Sequence, residues 1–148
     1  MKINFTKKQF RKLLDLVFLG ELVINGHRPP DEAIGEYEDL LQYIYSFAKE
    51  MGYEDLIEYS SEYDKFFETR KFDESGIQDY VDEYDENVFW SELALRLAKR
   101  DVIREVEADE IGGDDYLLRV LHKEELYQDE FYENGLQNVI VDSDKINE

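Results

Sequence analysis

The strongest helical signal in this chain lies in residues 37–52, which read YEDLLQYIYSFAKEMG. Apolar residues recur there at i, i+3, i+4 and i+7 spacing, so they form one continuous face of a helix: Tyr37, Leu40, Leu41, Ile44, Phe47, Ala48 and Met51. Gly52 follows, at the position where a helix commonly ends in a left-handed residue. Pro30 and Asp31 suit the first turn of the same helix. We therefore predict a helix over residues 30–51.

Another amphipathic helix is predicted just before it, over residues 7–24. Thr6 and Gln9 form a capping box, and an apolar stripe of helical period follows them. An Asn-Gly pair at residues 25–26 and two prolines at residues 29–30 end this helix. Two helices joined by a short proline-containing turn make an antiparallel hairpin, which favours a helical bundle.

The remaining chain is also predicted to be mainly helical. The expected segments are short helical turns at residues 54–57 and 63–67, a short helix over residues 77–84, a long central helix over residues 88–106 capped by Asn87, and a last helix over residues 114–134. Residues 138–141 have the composition of a strand, and their pairing with residues 3–5 is a secondary expectation. The sequence thus predicts a single all-α domain over residues 1–148, a bundle of five to six helices with at most a minor two-stranded pairing of the termini.

The composition is dominated by acidic residues. The 148 residues include 37 Asp and Glu against 17 Lys and Arg, a formal net charge of −20, while 43% of them are hydrophobic. That hydrophobic fraction predicts a folded chain. Residues 1–30 carry a net charge of +4, so residues 31–148 carry −24. A surface this acidic repels phosphate backbones and anionic lipids, so we expect a basic protein surface as partner, rather than nucleic acid or a membrane.

The sequence contains no recognisable motif for catalysis, metal binding or cofactor binding. The chain has no cysteine, which excludes disulfides and thiolate chemistry. His122 lacks the glutamate three residues earlier that a di-iron bundle needs, and an EF-hand pattern from Glu107 has Ile111 where an oxygen ligand belongs. We expect no catalytic, metal-binding or cofactor-binding residue. Residues 1–12 do not have the apolar core and cleavage site typical of a secretory signal, and the sequence has no apolar run of about 20 residues, so we expect a cytoplasmic location.

Tyrosines interleaved with acids are the remaining pattern. The densest instance is residues 79–86, DYVDEYDE, with five acids and two tyrosines in eight residues. In one interpretation the tyrosines bury their rings at the edge of an amphipathic helix while the acids face water. In the other, the rings anchor a basic partner and the carboxylates steer it. The candidate partner-binding residues are Asp79, Tyr80, Asp82, Glu83, Tyr84, Asp85 and Glu86.

The leading hypothesis for function is a non-catalytic protein-binding module for a basic partner. Small acidic nuclease inhibitors, toxin immunity proteins and proteins that imitate nucleic acid are of this kind, and the analogy rests on charge and size alone. The alternative is a small enzyme or ligand-binding helical bundle that uses buried carboxylates. A homodimer is a further option if one helix carries an apolar patch, although −20 per subunit opposes self-association.

Overall fold

The structure is a computed structural model that describes residues 2–105 and 113–140. It comprises two compact units, Met1–Asp82 and Glu83–Glu148. The prediction of a single domain stays a prediction. Glu107 and Ile111, the first and fifth positions of the EF-hand-like pattern, lie outside the described residues.

The first unit begins with helix α1, Lys7–Asn25. The Thr6 hydroxyl accepts a hydrogen bond from the backbone N–H of Gln9 at 3.3 Å, and the Gln9 side-chain oxygen accepts one from the backbone N–H of Thr6 at 2.9 Å. This reciprocal pair satisfies two donors that a helix start otherwise leaves unpaired. The predicted capping box and the helix that it opens are confirmed.

Helix α2 spans Gly35–Tyr45 and is shorter at its start than predicted. Residues Pro30–Glu32 form a separate 3₁₀ turn. Ile34 is extended, and its backbone N–H donates to the side-chain oxygen of the buried Asn25 at 2.9 Å. Because Asn25 holds Ile34 in this extended conformation, the helix that Pro30 was predicted to open begins only at Gly35.

The helix also ends earlier than predicted. Phe47 and Ala48 donate their backbone N–H groups to carbonyls three residues back, as in a 3₁₀ turn, so the α-helical pattern stops at Tyr45. Gly52 has a φ of 76°, the left-handed conformation expected of it. The tighter turns still bring Ala48 into the core.

Two antiparallel strands follow, β1 at Ile57–Ser60 and β2 at Lys65–Glu68. The helical turn predicted at residues 54–57 forms just before β1, because the backbone N–H groups of Leu56 and Ile57 donate to the Tyr53 carbonyl at 3.0 and 3.2 Å. The one predicted at residues 63–67 is wrong. Gln42 of α2 explains the difference, because its side chain donates to the Phe66 carbonyl at 2.9 Å and accepts from the Phe66 N–H at 2.7 Å. A helix side chain thus gives β2 the pair of hydrogen bonds that a neighbouring strand would supply.

A one-turn helix α3, Arg70–Phe72, and a π-helical turn at Asp73–Ile77 lead into the long helix α4, Gln78–Glu105. The predicted break between helices at residues 77–84 and 88–106 does not occur. Asn87 lies inside α4, where its side-chain amide donates to the Glu83 carbonyl at 2.6 Å instead of capping a new helix. The Asn87 side chain therefore finds its hydrogen-bond partner in the preceding turn of the same helix rather than at a new helix start.

Of the two core clusters formed by residues 2–105 and 113–140, the larger lies in the first unit. It consists of Phe10, Leu14, Leu41, Tyr45, Ala48, Leu56, Ile57, Phe72 and Ile77. Helices α1 and α2 therefore pack with the hairpin and α3 around one apolar interior. The prediction that residues 88–106 form the most buried helix is wrong. Among the described residues the 28-residue α4 has three buried residues, Ala94, Ala98 and Val102, whereas the 19-residue α1 has four.

In the second unit, α4 is followed by helix α5, Gly113–Asn134. Ala98, Val102 and Val120 form its core cluster, with partly buried neighbours such as Tyr127. Gly135 follows α5 with a φ of 58°, which confirms the predicted helix end.

The protein is thus mostly helical with a small β-hairpin at residues 57–68, and the prediction of an all-α fold is correct only in its helical part. The predicted pairing of the termini is wrong for residues 3–5 and 138–140, which lie outside strands, while Val141 is outside the described residues. The hairpin forms inside the chain because α2 supports it there through Gln42.

Candidate functional site

All seven predicted docking residues lie near the start of α4, and all are exposed: Asp79, Tyr80, Asp82, Glu83, Tyr84, Asp85 and Glu86. We refer to residues 79–86 as the docking segment. Tyr80 is 61% exposed and Tyr84 is 62% exposed. Most of each ring is therefore open to contact by another molecule.

The docking segment has an unbalanced charge. Residues 72–95 include eight acids and no Lys or Arg. Within residues 2–105 and 113–140, no basic side chain lies within 4.0 Å of a docking-segment carboxylate. Further along α4 the acids are paired: Glu92 lies 3.0 Å from Arg96, and Asp101 lies 2.7 Å from Arg100. Negative potential is therefore concentrated at the start of the helix.

Neutral donors orient two of the docking carboxylates. The side-chain amide of Gln78 donates to Asp82 at 2.9 Å, and the indole N–H of Trp90 donates to Glu86 at 2.5 Å. These hydrogen bonds restrict the side chains but leave both negative charges in place. The side chains of Asp82 and Glu86 are therefore each held by one hydrogen bond within α4.

Glu86 also lines a groove of about 440 Å³ in the second unit. The other lining residues are Trp90 and Ser91 of α4, Gln128, Phe131 and Tyr132 of α5, and Gly135. The ring centroids of Trp90 and Phe131 are 5.5 Å apart, and Tyr132 is 93% exposed. We call this cavity the aromatic groove.

Sequence reasoning found Glu86 but missed the rest of the aromatic groove. Trp90 is the chain's only tryptophan and lies four residues, or one helical turn, after Glu86. This spacing alone predicts that the two side chains lie next to each other on a helix. Phe131 and Tyr132 come from α5, more than 40 residues later in the chain. Only the packing of α5 on α4 in this unit shows that they line the same groove.

The first unit has a more apolar groove of about 600 Å³, lined by residues 2–5, by α1 and by residues 43–51. Among the described residues Asp15 is the buried acid, and it is ion-paired with Arg11 and with Lys12, at 3.3 Å from the latter. Asp15 lines neither this groove nor the aromatic groove. A third groove in the first unit, of about 410 Å³, is lined by the partly buried Glu21, Glu38 and Glu68, so the alternative of an enzyme or ligand-binding bundle stays a prediction.

The strongest pKa shifts belong to groups outside the docking segment. Burial, followed by the hydrogen bond to Glu68, raises the pKa of Tyr45. Hydrogen bonds from Arg100 and Tyr127 lower the pKa of Asp101 to about 2. Each shift favours the form already present at neutral pH, so neither group is poised for proton transfer.

No protein-family model, curated protein or solved structure matches this chain. No helix in the described ranges is both long enough and apolar enough to cross a membrane. Those ranges also hold no group of three or more acidic or histidine side chains suited to a metal ion. Function is therefore inferred from the geometry and charge of the chain itself.

Proposed function

We propose that this protein is a non-catalytic binding module that docks a basic protein surface on residues 79–86. The observation that carries the proposal is the set of five exposed acids and two mainly exposed tyrosines, with no basic side chain in contact within the described residues. Carboxylates attract a basic partner over a distance, and tyrosine rings then supply contact area at low cost in conformational entropy. Inhibitors, immunity proteins and nucleic-acid mimics bind basic partners in this way, and the proposal is that this protein is a cytoplasmic module of that kind.

The helical state of the docking segment supports the proposal. Residues 79–86 belong to α4, so their backbone is ordered before a partner arrives. Binding then loses little backbone entropy, and the carboxylates keep a fixed spacing along the helix. A basic helix or groove is the surface that such a row of charges complements.

The proposal is tested by pulldown from cell extract, with elution in steps of increasing salt. The test variant neutralises Asp79, Asp82, Asp85 and Glu86 by the changes D79N, D82N, D85N and E86Q. The control variant neutralises four exposed acids elsewhere, by E32Q, E36Q, E54Q and E58Q, and has the same net charge. We expect a basic protein that elutes from the test variant at much lower salt, and from the control variant near the wild-type salt concentration.

An equal shift in both variants would contradict the proposal, because it would show that net charge alone retains the partner. A partner retained equally by wild type and test variant would contradict it as well. Mass spectrometry of the eluted band identifies the partner.

A further inference from the structure

We infer that the aromatic groove receives an arginine side chain of the basic partner. The inference rests on the proposed function, because it assigns one contact within the same docking event. Glu86 belongs both to the docking segment and to the groove lining, so the acidic surface and the aromatic groove meet at this residue.

The ring surfaces favour a cation that can stack. Trp90 lies at the groove with its ring tilted 40° from that of Phe131, and Tyr132 adds a third ring that is 93% exposed. A guanidinium group is planar and weakly hydrated, so it stacks on aromatic faces more readily than a compact, strongly hydrated ammonium does. The groove therefore discriminates in favour of arginine over lysine.

The polar atoms of the groove suit the edge of the same guanidinium group. A carboxylate has about four acceptor positions, and the indole N–H of Trp90 uses one of them on Glu86. Gln128 donates its side-chain amide to Glu124 at 3.2 Å, which directs that donor away and leaves its carbonyl oxygen as an acceptor. An arginine that stacks on the rings can thus donate to Glu86 with charge assistance.

The volume of the groove fits this occupant. At about 440 Å³ it lies near the lower end of the size range of small-molecule sites, which is enough for one long side chain. The second unit, residues 83–148, has 19 acidic and seven basic side chains, a net charge of −12, so the surrounding potential also favours a cation.

Two peptides of equal length and charge test the inference: fluorescein-labelled octa-arginine and octa-lysine, with anisotropy read at 150 mM NaCl. We expect octa-arginine to bind about fivefold more tightly, in line with one additional cation–π contact. In ¹⁵N-labelled protein the single indole N–H resonance, that of Trp90, should shift with octa-arginine and move little with octa-lysine.

Variants test whether the preference for octa-arginine over octa-lysine depends on the aromatic groove. Because Tyr132 is almost fully exposed, Tyr132→Ala leaves the fold intact; it should weaken octa-arginine binding about fivefold and octa-lysine binding less than twofold. Glu86→Gln should also reduce the preference for arginine. Tyr63→Ala is the matched control, because Tyr63 is 64% exposed and flanked by the acids Glu62 and Asp64, yet lies outside the groove.

The outcomes separate the two proposals. If neither peptide binds, the docking function itself is overturned. If both bind with equal affinity, if the indole resonance does not shift with octa-arginine, or if Tyr132→Ala and Tyr63→Ala have the same effect, the arginine inference is overturned while docking on the acidic segment stands.

Discussion

At the scale of single residues, Tyr45 shows how one buried hydroxyl joins two elements of the first unit. Its side chain has no exposed surface, and its hydroxyl donates to the Glu68 carboxylate at 2.5 Å. The ring fills the core while the hydroxyl connects α2 to β2. A buried hydroxyl without a hydrogen-bond partner would lower the stability of the fold. The contact with Glu68 therefore favours tyrosine over phenylalanine at position 45.

We predict that Tyr45→Phe lowers the free energy of unfolding by about 1–2 kcal/mol, because Glu68 loses its donor while the core keeps the ring. Urea unfolding followed by circular dichroism measures the change. Tyr43→Phe is the control: Tyr43 is 60% exposed, and its variant should stay within about 0.5 kcal/mol of wild type. Equal losses in the two variants would contradict the role of the hydroxyl.

The pKa of Asp101 gives a prediction about pH. Hydrogen bonds from Arg100 and Tyr127 lower this pKa from 3.8 to about 2, so the folded state favours the ionised carboxylate more than the unfolded state does. The resulting stability is present above the unfolded pKa and is lost as pH falls through the folded one. Asp101→Asn should therefore cost about 1 kcal/mol at pH 7, and this difference should shrink toward pH 2.

Unfolding by urea at pH 7, 4 and 2.5 measures the pH effect. Asp129→Asn provides the control, since Asp129 is exposed on α5 and takes part in no ion pair among the described residues. A difference between wild type and Asp101→Asn that stays constant with pH would show that the amide substitution acts through packing alone.

At the scale of elements, the parts that could be predicted are those fixed by neighbours in sequence. Thr6 and Gln9 lie three positions apart, so the start of α1 follows from local chemistry. The hairpin at residues 57–68 does not follow in this way, because its strands are four residues long and Gln42 supports them from 24 positions before Phe66. Long-range hydrogen bonds to Phe66 therefore favour a strand where the short-range pattern predicted a helical turn at residues 63–67.

The candidate site likewise has one part that could be predicted from neighbouring residues and one part that could not. The charge and exposure of residues 79–86 could be predicted from the sequence, because a run of five acids among eight residues is most stable when it is solvated at the surface. The aromatic groove needed α5 to bring Phe131 and Tyr132 to Trp90, and no local pattern contains that information.

At this scale we predict that loss of the Gln42 side chain weakens the β-hairpin. Gln42→Ala removes both side-chain hydrogen bonds to Phe66, so the Phe66 amide should exchange with deuterium about tenfold faster. Nuclear magnetic resonance resolves this amide from the others. Glu36→Ala, an exposed change on the same helix, should leave its exchange rate unaltered. Equal rates in the two variants would show that the hairpin holds without α2.

At the scale of the whole molecule, the net charge of −20 implies repulsion within the folded chain. Raising NaCl from 10 to 200 mM shortens the range of that repulsion. We predict that the midpoint of thermal unfolding rises by roughly 3–6 °C, corresponding to about 1 kcal/mol. The variant that neutralises Glu32, Glu36, Glu54 and Glu58 should show a smaller rise. A midpoint that falls with salt would mean that ion pairs outweigh repulsion.

The single tryptophan lies in the second unit, which has an optical consequence. Trp90 emission follows the loss of packing in that unit, whereas ellipticity at 222 nm sums helices from both units. In the described residues the second unit has the smaller core cluster, so its transition comes at lower urea. We therefore predict that the emission curve precedes the ellipticity curve, whereas coincident curves would show that the two units unfold together.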